Sequence, residues 1–237
     1  MKLGINIDHI ATLRNARRGL EPDVLQGMHI AIESGCDSIV CHLRVDRRHI
    51  TDEDVYAIRK NVTVPMNLEA SLEDEIIDIA LDVVPDIITL VPEKREEITT
   101  EGGLDVKKNF DRLKNAIPRL KNKGIVVSLF VDPDEEALEL TKKADADSVE
   151  LHTGSYANAN GEKQDKEFQK LAKAARYAQD LGLFVAAGHG LNYENTARIL
   201  TIESIKELNI GHSVISRSIF TGLNQAVIDM LQLIKTK

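Results

Sequence analysis

The sequence is poor in the residues that mark several large classes of protein. Among its 237 residues it has two cysteines, no tryptophan and only 4% aromatic residues. Two cysteines, at positions 36 and 41, cannot build a disulfide framework. No apolar run approaches the ~18 residues of a membrane span. Asn6 introduces polarity too early for the apolar segment of a secretory signal. We therefore expect a cytoplasmic protein.

Excess positive charge is also lacking. The formal net charge is −8 at pH 7, which argues against a general partner of nucleic acid or of anionic membranes. Charged residues make up 29% and hydrophobic residues 43% of the chain, as in globular proteins. The length is close to the ~250 residues of one (β/α)8 domain. We therefore expect residues 1–237 to form a single catalytic domain that acts on small molecules.

Short apolar runs alternate with helical patterns along the whole chain. The runs fall at residues 3–8, 38–42, 64–69, 86–91, 125–131, 147–152, 183–187 and 207–211. Apolar residues recur at helical spacing in residues 21–34, 72–81, 105–121 and 213–234. Eight strands alternating with helices predict an α/β protein, a (β/α)8 TIM barrel with extra helical segments in its loops. Residues 11–19, 91–103 and 153–161 are predicted to be irregular, and such long loops are candidates for a lid.

Ionisable side chains gather where the predicted strands end. Five of the seven histidines lie there, as do two glutamates: His9, His42, His152, His189, His212, Glu69 and Glu150. The carboxyl ends of the strands are where barrels carry their active sites. A single histidine there can be a structural group, and a carboxylate can pair with a loop arginine. The alternative is acid–base catalysis. Asp8 can either cap the segment that begins at His9 or belong to the site.

Two features suit phosphate binding. Gly188-His189-Gly190 follows the seventh strand, and Gly211-His212-Ser213 opens the last helix. Glycine lets backbone N–H groups approach an anion, and these two loops form the recurring phosphate site of barrels. The second feature is a cationic cluster that follows strands one and two: Arg14, Arg17, Arg18, Arg44, Arg47, Arg48 and His49. It is either a solvated basic loop or a second phosphate clamp, and two clamps would suit a reaction that joins two phosphorylated substrates.

Two other functions stay open at this point. No lysine lies at a predicted strand end, which argues against Schiff-base catalysis by lysine. The side chains of His42, Glu69, Glu150 and His152 form a set that could bind a divalent metal. A metal-dependent sugar-phosphate isomerase or aldolase is therefore one alternative, and a non-catalytic phosphosugar sensor is the other.

Long motifs in the chain, from NIDHIATLRNAR at 6–17 to ELNIGH at 207–212, resemble those of the PdxJ family of pyridoxine 5'-phosphate synthases. Between these two lie DRRHITD at 46–52, TTEGGLD at 99–105 and AGHGL at 187–191. Shorter matches are HLR at 42–44, MNLE at 66–69, LVPEKR at 90–95 and ELHTG at 150–154. The resemblance therefore runs from the first strand to the last helix.

The resemblance implies a barrel that condenses 3-amino-2-oxopropyl phosphate with 1-deoxy-D-xylulose 5-phosphate. The products are pyridoxine 5'-phosphate, phosphate and water. It also implies a homo-octamer that needs no metal or organic cofactor. Matching motifs make His42 and Glu69 proton acceptors, His189 a proton donor and Glu150 the residue that stabilises a transition state. They assign the amino-ketone to Asn6 and Arg17, the sugar phosphate to Asp8, His9, Arg44, His49 and Thr99, and a phosphate cradle to Gly190, Gly211 and His212.

Overall fold

Eight parallel strands close into a barrel in the order in which they occur in the chain. The structure, a computed structural model, describes residues 1–93 and 102–235. The strands are β1 (Lys2–Asn6), β2 (Ser38–Leu43), β3 (Met66–Ala70), β4 (Ile87–Leu90), β5 (Val126–Val131), β6 (Ser148–His152), β7 (Phe184–Gly188) and β8 (Glu207–Ile210). Each strand pairs with its neighbours in sequence, and β1 pairs with β8 to close the barrel. The predicted (β/α)8 barrel is confirmed.

Helices follow the strands and cover the outside of the barrel. They are α1 (Asp8–Arg17), α2 (Val24–Glu33), α3 (Asp52–Asn61), α4 (Asp74–Val83), α5 (Phe110–Lys121), α6 (Glu135–Lys143), α7 (Gly154–Ala157), α8 (Gly161–Asp180), α9 (Thr196–Ile199), α10 (His212–Thr221) and α11 (Leu223–Lys235). The described residues include no helix long and apolar enough to cross a membrane.

Along β2, successive side chains point alternately to the hydrophobic core around the barrel and to the barrel interior. Every residue of this strand is buried. Ile39 and Cys41 belong to the hydrophobic core around the barrel, on the opposite face from His42. The register pairs His42 with Glu69 of β3. Residues directly opposite in register project to the same side of a sheet, so the barrel closure brings these two ionisable groups together.

The barrel interior is polar rather than aliphatic. Three hydrogen bonds join side chains inside it: Ser38 to Glu207 at 3.1 Å, Thr89 to Asn67 at 2.9 Å and Asn209 to Glu150 at 2.6 Å. A cavity of about 260 Å³ extends from the amino-terminal ends of the strands to Glu150 and Asn209. Barrels are usually filled by branched aliphatic residues. Buried polar groups are tolerated here because they hydrogen-bond to one another.

Two predictions about loops are wrong. Residues 11–19 do not form an irregular stretch, because most of them belong to α1, which continues to Arg17. No proline or glycine interrupts α1, and the helix ends where Arg18 adopts a left-handed conformation with φ of 56°. Residues 153–161 contain the short helix α7, and α8 begins at Gly161. The predicted lid at 91–103 lies largely outside the described residues.

The predicted continuous helix over 213–234 is also wrong. Two helices occupy this part of the chain, and Gly222 separates them with φ of 80° and ψ of 151°. Side-chain periodicity continues across the break, because α11 again buries Val227 and Met230. Apolar spacing therefore did not reveal the break, whereas the backbone conformation depends on the single glycine.

We expect Gly222→Ala to lower the free energy of unfolding by roughly 1–3 kcal/mol, because this backbone conformation strains any residue with a Cβ atom. No atom lies within 4 Å of a Cβ built at Gly222, so the loss would measure backbone strain and not a clash. Urea unfolding at equilibrium measures it. Gly19→Ala is the matched control, since a Cβ there meets nothing closer than 3.9 Å and needs no positive φ. Equal stabilities of the two variants would contradict the prediction.

Candidate active site

The turn between β1 and α1 places the first group of polar side chains at the mouth of the barrel. Asn6 is the last residue of β1, and its Nδ2 donates to Oδ2 of Asp8 at 2.9 Å. The backbone N–H of Asp8 donates back to Asn6 Oδ1 at 3.0 Å. Oδ1 of Asp8 then accepts the backbone N–H of His42 on the neighbouring strand at 2.7 Å. Asp8 lies in the first turn of α1, and Ile7 is the N-cap, so Asp8 is not a capping residue.

His42 and Glu69 form the centre of the cluster. Nδ1 of His42 lies 3.8 Å from Oε2 of Glu69. His42 is 6% exposed, and its Nε2 has no hydrogen-bond partner in the described part of the chain. A buried imidazole nitrogen without a partner is costly unless a ligand supplies one. This nitrogen is therefore available to a substrate.

Glu150 occupies the interior side of the same cluster. It is 2% exposed, and its Oε2 accepts Nδ2 of Asn209 at 2.6 Å. A Cβ atom at Gly188 would lie 2.2 Å from Oε1 of Glu150. The carboxylate thus fits only because β7 ends in glycine.

Burial makes the carboxyl groups hold their protons more tightly. Desolvation raises the pKa of Asp8 to about 7, although hydrogen bonds from His42 and Asn6 act in the opposite direction. Desolvation also raises the pKa of Glu150 to about 7. The pKa of Glu69 is well above its ordinary value, first because of desolvation and then because of the negative charges of Glu150 and Asp8. Three acidic groups share one region that cannot accommodate three negative charges.

The imidazoles shift in the opposite direction. Desolvation lowers the pKa of His42 well below its ordinary value, and His49 and Arg44 add to the effect. Desolvation lowers the pKa of His49 to about 4, and that of His189 to about 4 with a further contribution from His152. The pKa of His9 is lowered by desolvation and by His212. In the free protein His9, His42, His49 and His189 are therefore neutral bases at neutral pH.

His189 is held in a conformation that is unusual for a residue with a side chain. Its φ is 77°, in the left-handed region. Thr153 stabilises this turn, because its hydroxyl oxygen lies 2.7 Å from the carbonyl oxygen of Gly188 and 2.5 Å from that of His189, and its one proton can be donated to either. Strain of this kind is typical of functional sites.

The N-terminus of α10, which follows β8, forms another wall of the site. Gly211 is its N-cap and His212 its first residue, and the His212 ring lies edge-on to that of His9 with 5.1 Å between centroids. Gly190 adopts a φ of 79°, and its carbonyl accepts Nδ2 of Asn195 at 3.1 Å. The first N–H groups of a helix have no partner within it, so this wall offers donors to an anion.

The structure does not gather the predicted arginines into one clamp. Three of them are engaged elsewhere: Arg14 with Asp54, Arg47 with Asp52 and Glu75, and Arg48 with Asp46. Arg44 is buried beside the cluster, 3.8 Å from Glu93 and 3.4 Å from Asp46. The positive charge that faces Asp8, His42 and His49 is therefore mainly that of Arg44.

One predicted site residue lies away from the cluster, and the position of another is not described. Arg17 is exposed at the far end of α1, and nine residues of helix place it roughly 13 Å along the axis from Asp8. Thr99 lies outside the described residues. Glu150 lies in the middle of β6, and His49 lies in the loop between β2 and α3. The other predicted residues lie at or directly after the carboxyl ends of strands β1, β2, β3, β7 and β8.

Asp8, His42 and His49 are close enough to hold a metal ion, with ligand atoms within 4.8 Å of one another. The donor chemistry fits an anion better. Nδ1 of His49 accepts the backbone N–H of Ile50 at 3.0 Å, so the neutral ring carries its proton on Nε2 and presents a donor. Both oxygens of Asp8 already accept hydrogen bonds, and Arg44 opposes a second cation. Among the described residues, the predicted set of His42, Glu69, Glu150 and His152 does not form a group close enough to hold a metal ion.

Several residues of the site were not predicted. Glu93 accepts the backbone N–H of Val45 at 2.9 Å and lies beside Arg44, which fixes the segment after β2. Asn209 holds Glu150. Asn209 carries a sequence signal, since it alternates with the aliphatic residues of β8. Glu93 carries none, because it acts across two loops.

The chain is similar to one family along nearly its whole length. Residues 3–236 match the family described as pyridoxal phosphate biosynthesis protein PdxJ. A protein of Sulfurihydrogenibium sp. named pyridoxine 5'-phosphate synthase is 52% identical over 237 residues, which cover 99% of this chain and 98% of the relative. A protein of the same name from Geobacter sulfurreducens is 50% identical over 235 residues, again 99% and 98% of the two chains.

Solved structures with the same fold are more distant in sequence. KGPDC from Streptococcus mutans superposes with a TM-score of 0.67 at 14% identity, and the match covers 99% of this chain and 97% of that one. N-(5'-phosphoribosyl)anthranilate isomerase from Pyrococcus furiosus gives a TM-score of 0.65 at 17% identity, and the whole of both chains is covered. At such identities the likeness concerns the barrel fold alone.

We expect Glu150→Gln to stabilise the protein at pH 8.5 and to have less effect at pH 5. Between its ordinary pKa of 4.5 and about 7, the folded state holds a proton at Glu150 that the unfolded state has lost. Wild-type stability therefore falls as pH rises through this window, whereas glutamine keeps an oxygen for Asn209 and does not ionise. The difference in unfolding free energy should grow by roughly 1–3 kcal/mol across the window.

Urea unfolding at several pH values measures this difference. Glu203→Gln is the control, because Glu203 is an exposed carboxylate. A Glu150→Gln difference that does not vary with pH would show that Glu150 ionises normally in the folded protein.

Proposed function

The chain belongs to the PdxJ family and is an enzyme of pyridoxine biosynthesis, and on that premise we propose that it condenses 3-amino-2-oxopropyl phosphate with 1-deoxy-D-xylulose 5-phosphate. The products are pyridoxine 5'-phosphate, phosphate and water. The observation that carries this proposal is the buried cluster of His42, Glu69 and Glu150. It holds the neutral imidazole of His42 beside two carboxyl groups whose pKa values are raised, all three on strands of the barrel.

The chemistry needs several proton transfers. The amine of one substrate attacks the ketone of the other, and water leaves. Phosphate elimination and aromatisation then require protons to leave carbon and to reach departing oxygens. In our proposal His42 and Glu69 accept these protons. A carboxylate with a raised pKa is a stronger base once it is ionised, and His42, which is neutral in the free protein, offers a second base beside it.

Glu150 is proposed to stabilise charge. The condensation of an amine with a ketone passes through a cationic iminium, and a carboxylate held in a buried site favours that charge strongly. Asn209 fixes the direction of the Glu150 side chain, so no reorganisation is needed when the charge appears. Its pKa of about 7 lets the group ionise near neutral pH.

His189 is proposed to donate a proton to a leaving oxygen. In the free protein its pKa of about 4 keeps the ring neutral. A phosphate bound between the turn at Gly190 and the N-terminus of α10 would favour the imidazolium, because an opposite charge nearby favours the charged form. Binding of the substrate phosphate would therefore favour protonation of His189, the group that then acts as the acid.

Two phosphate sites follow from this assignment. Gly190, Gly211 and His212 would cradle one phosphate with backbone N–H groups. Asp8, His9, Arg44 and His49 would surround the sugar phosphate, where Arg44 supplies charge and Nε2 of His49 a donor. Asn6 is proposed to bind the amino-ketone. The assignments of Arg17 to the amino-ketone and of Thr99 to the sugar phosphate rest on the family motifs alone.

The assembly and location are part of the proposal. Four exposed apolar side chains lie on or shortly after α1 and on α10, two helices that contact each other: Leu13 is 46%, Leu20 90%, Ile219 64% and Phe220 87% exposed. Such a surface suits contact with further copies of the chain. We propose a homo-octamer on family resemblance, with residues 1–237 as one catalytic domain in the cytoplasm. Light scattering of the purified protein measures the number of subunits.

An assay with the two named substrates tests the reaction. We expect pyridoxine 5'-phosphate and inorganic phosphate to appear together, with full activity after exhaustive chelation. A loss on chelation that zinc or manganese restores would favour the metal-dependent isomerase or aldolase. Tight binding of a substrate without any turnover would favour a phosphosugar sensor.

We expect Glu69→Gln to lower kcat about 100-fold or more while KM changes little, because glutamine keeps the shape and removes the base. Steady-state kinetics with both substrates measures the two constants. Glu53→Gln, an exposed position on α3, is the matched control and should keep wild-type kinetics. Wild-type turnover by Glu69→Gln would assign the base role to another group.

A further inference from the structure

A second pair of ionisable side chains lies beside His189. His152, the last residue of β6, is 4% exposed, and its Nδ1 lies 2.9 Å from Oδ1 of Asp132, which follows β5. The His152 ring lies edge-on to the His189 ring, with 5.1 Å between centroids and an angle of 62°. The steps proposed above use neither Asp132 nor His152.

Asp132 fixes His152 from the rim of the barrel. Its pKa is lowered, chiefly by the hydrogen bond with His152 and also by the backbone N–H of Gly103, so the group is a carboxylate at neutral pH. A carboxylate only accepts hydrogen bonds, and Nδ1 of His152 must therefore carry a proton. The tautomer of His152 and the orientation of its ring are set by this contact.

The space around the two rings leaves them little freedom. The Phe130 ring lies 5.2 Å from that of His152 and 6.4 Å from that of His189. On the other side, a Cβ at Gly154 would lie 2.3 Å from Nε2 of His152 and 3.2 Å from Cδ2 of His189. Both rings therefore pack against the bare Cα of Gly154, and a rotation of His152 would displace His189.

We propose that His152, held by Asp132, is a positioning residue for His189: it restrains the His189 ring, and its own charge governs how readily His189 takes up a proton. This inference rests on the proposed role of His189 as proton donor. Charge on His152 opposes charge on His189 at this distance.

The other ionisable groups near His189 come from the adjoining elements. Glu150 of β6 lies against Gly188, the residue before His189. His212 follows β8, the next strand, and Asp132 lies behind His152. Of these, His152 is in direct ring contact with His189. A substitution of His152 alone therefore tests the interaction between His152 and His189.

The first test is an NMR titration of the ligand-free protein with histidine labelled at Cε1. The His189 signal is assigned by its loss in His189→Asn. In His152→Gln the glutamine amide can still donate to Asp132 but cannot become cationic, so we expect the His189 transition to move to higher pH. An unchanged His189 transition would overturn the inference. This readout does not require turnover, so it decides the inference even if the proposed reaction fails.

The second test is kinetic and uses Asp132→Asn. We expect kcat to fall about 10-fold or more with KM within about two-fold of wild type, because a misoriented catalytic group affects the chemical step more than binding. Asp134→Asn is the matched control: it removes the same charge two residues away, and asparagine still caps α6 in place of the carboxylate that accepts the N–H of Ala137. Equal kcat values for the two variants would overturn the positioning role. If Asp132→Asn does not fold, kcat and KM of His152→Gln replace it.

Discussion

Burial of acidic and basic side chains inside one closed barrel is the constraint on which the rest of this site depends. The eight strands turn an unusually polar face inward, and the closure removes Asp8, Glu69 and Glu150 from water together. Neither three carboxylates nor several imidazolium ions are stable there. The cluster lowers its energy by staying neutral, with protons on carboxyl groups and none added to the imidazoles.

This constraint inverts the order of proton affinities that the same groups have in water. A free carboxyl group titrates near 4 and a free imidazole near 6.5. In the barrel, Glu150 has a pKa of about 7 and His189 of about 4. Phosphate groups that enter the mouth bring negative charge and favour protonation of the nearby imidazoles. The site thus holds groups whose charges a bound anion would change, and in the proposed reaction two phosphates would change several of them at once.

The sequence predicted what depends on local pattern, and it missed what depends on contacts between elements. Short apolar runs predicted all eight strands, and the ionisable residues near their ends predicted a cluster with His42, Glu69 and Glu150. The helix that begins at Asp8 escaped prediction because its first turn carries the polar residues of the site. The pair of Asp132 and His152 escaped because β5 and β6 bring together residues 20 positions apart. The direction of the pKa shifts was equally hidden, since desolvation follows from closure of the whole barrel.

The glycines of the site have a second physical role beside the one that their sequence pattern suggests. Flanking glycines at His189 and His212 indicate a backbone that approaches phosphate. In the structure these positions also make room for the protein's own side chains. A Cβ at Gly211 would lie 2.8 Å from Cβ of Asn6, and one at Gly188 would overlap the carboxylate of Glu150. The bare backbone of β7 and β8 therefore lets polar side chains from β1 and β6 reach the barrel axis. Gly188, one of the glycines whose pattern predicts an anion site, thus makes room for the buried carboxyl group of Glu150, and burial of that group sets its proton affinity.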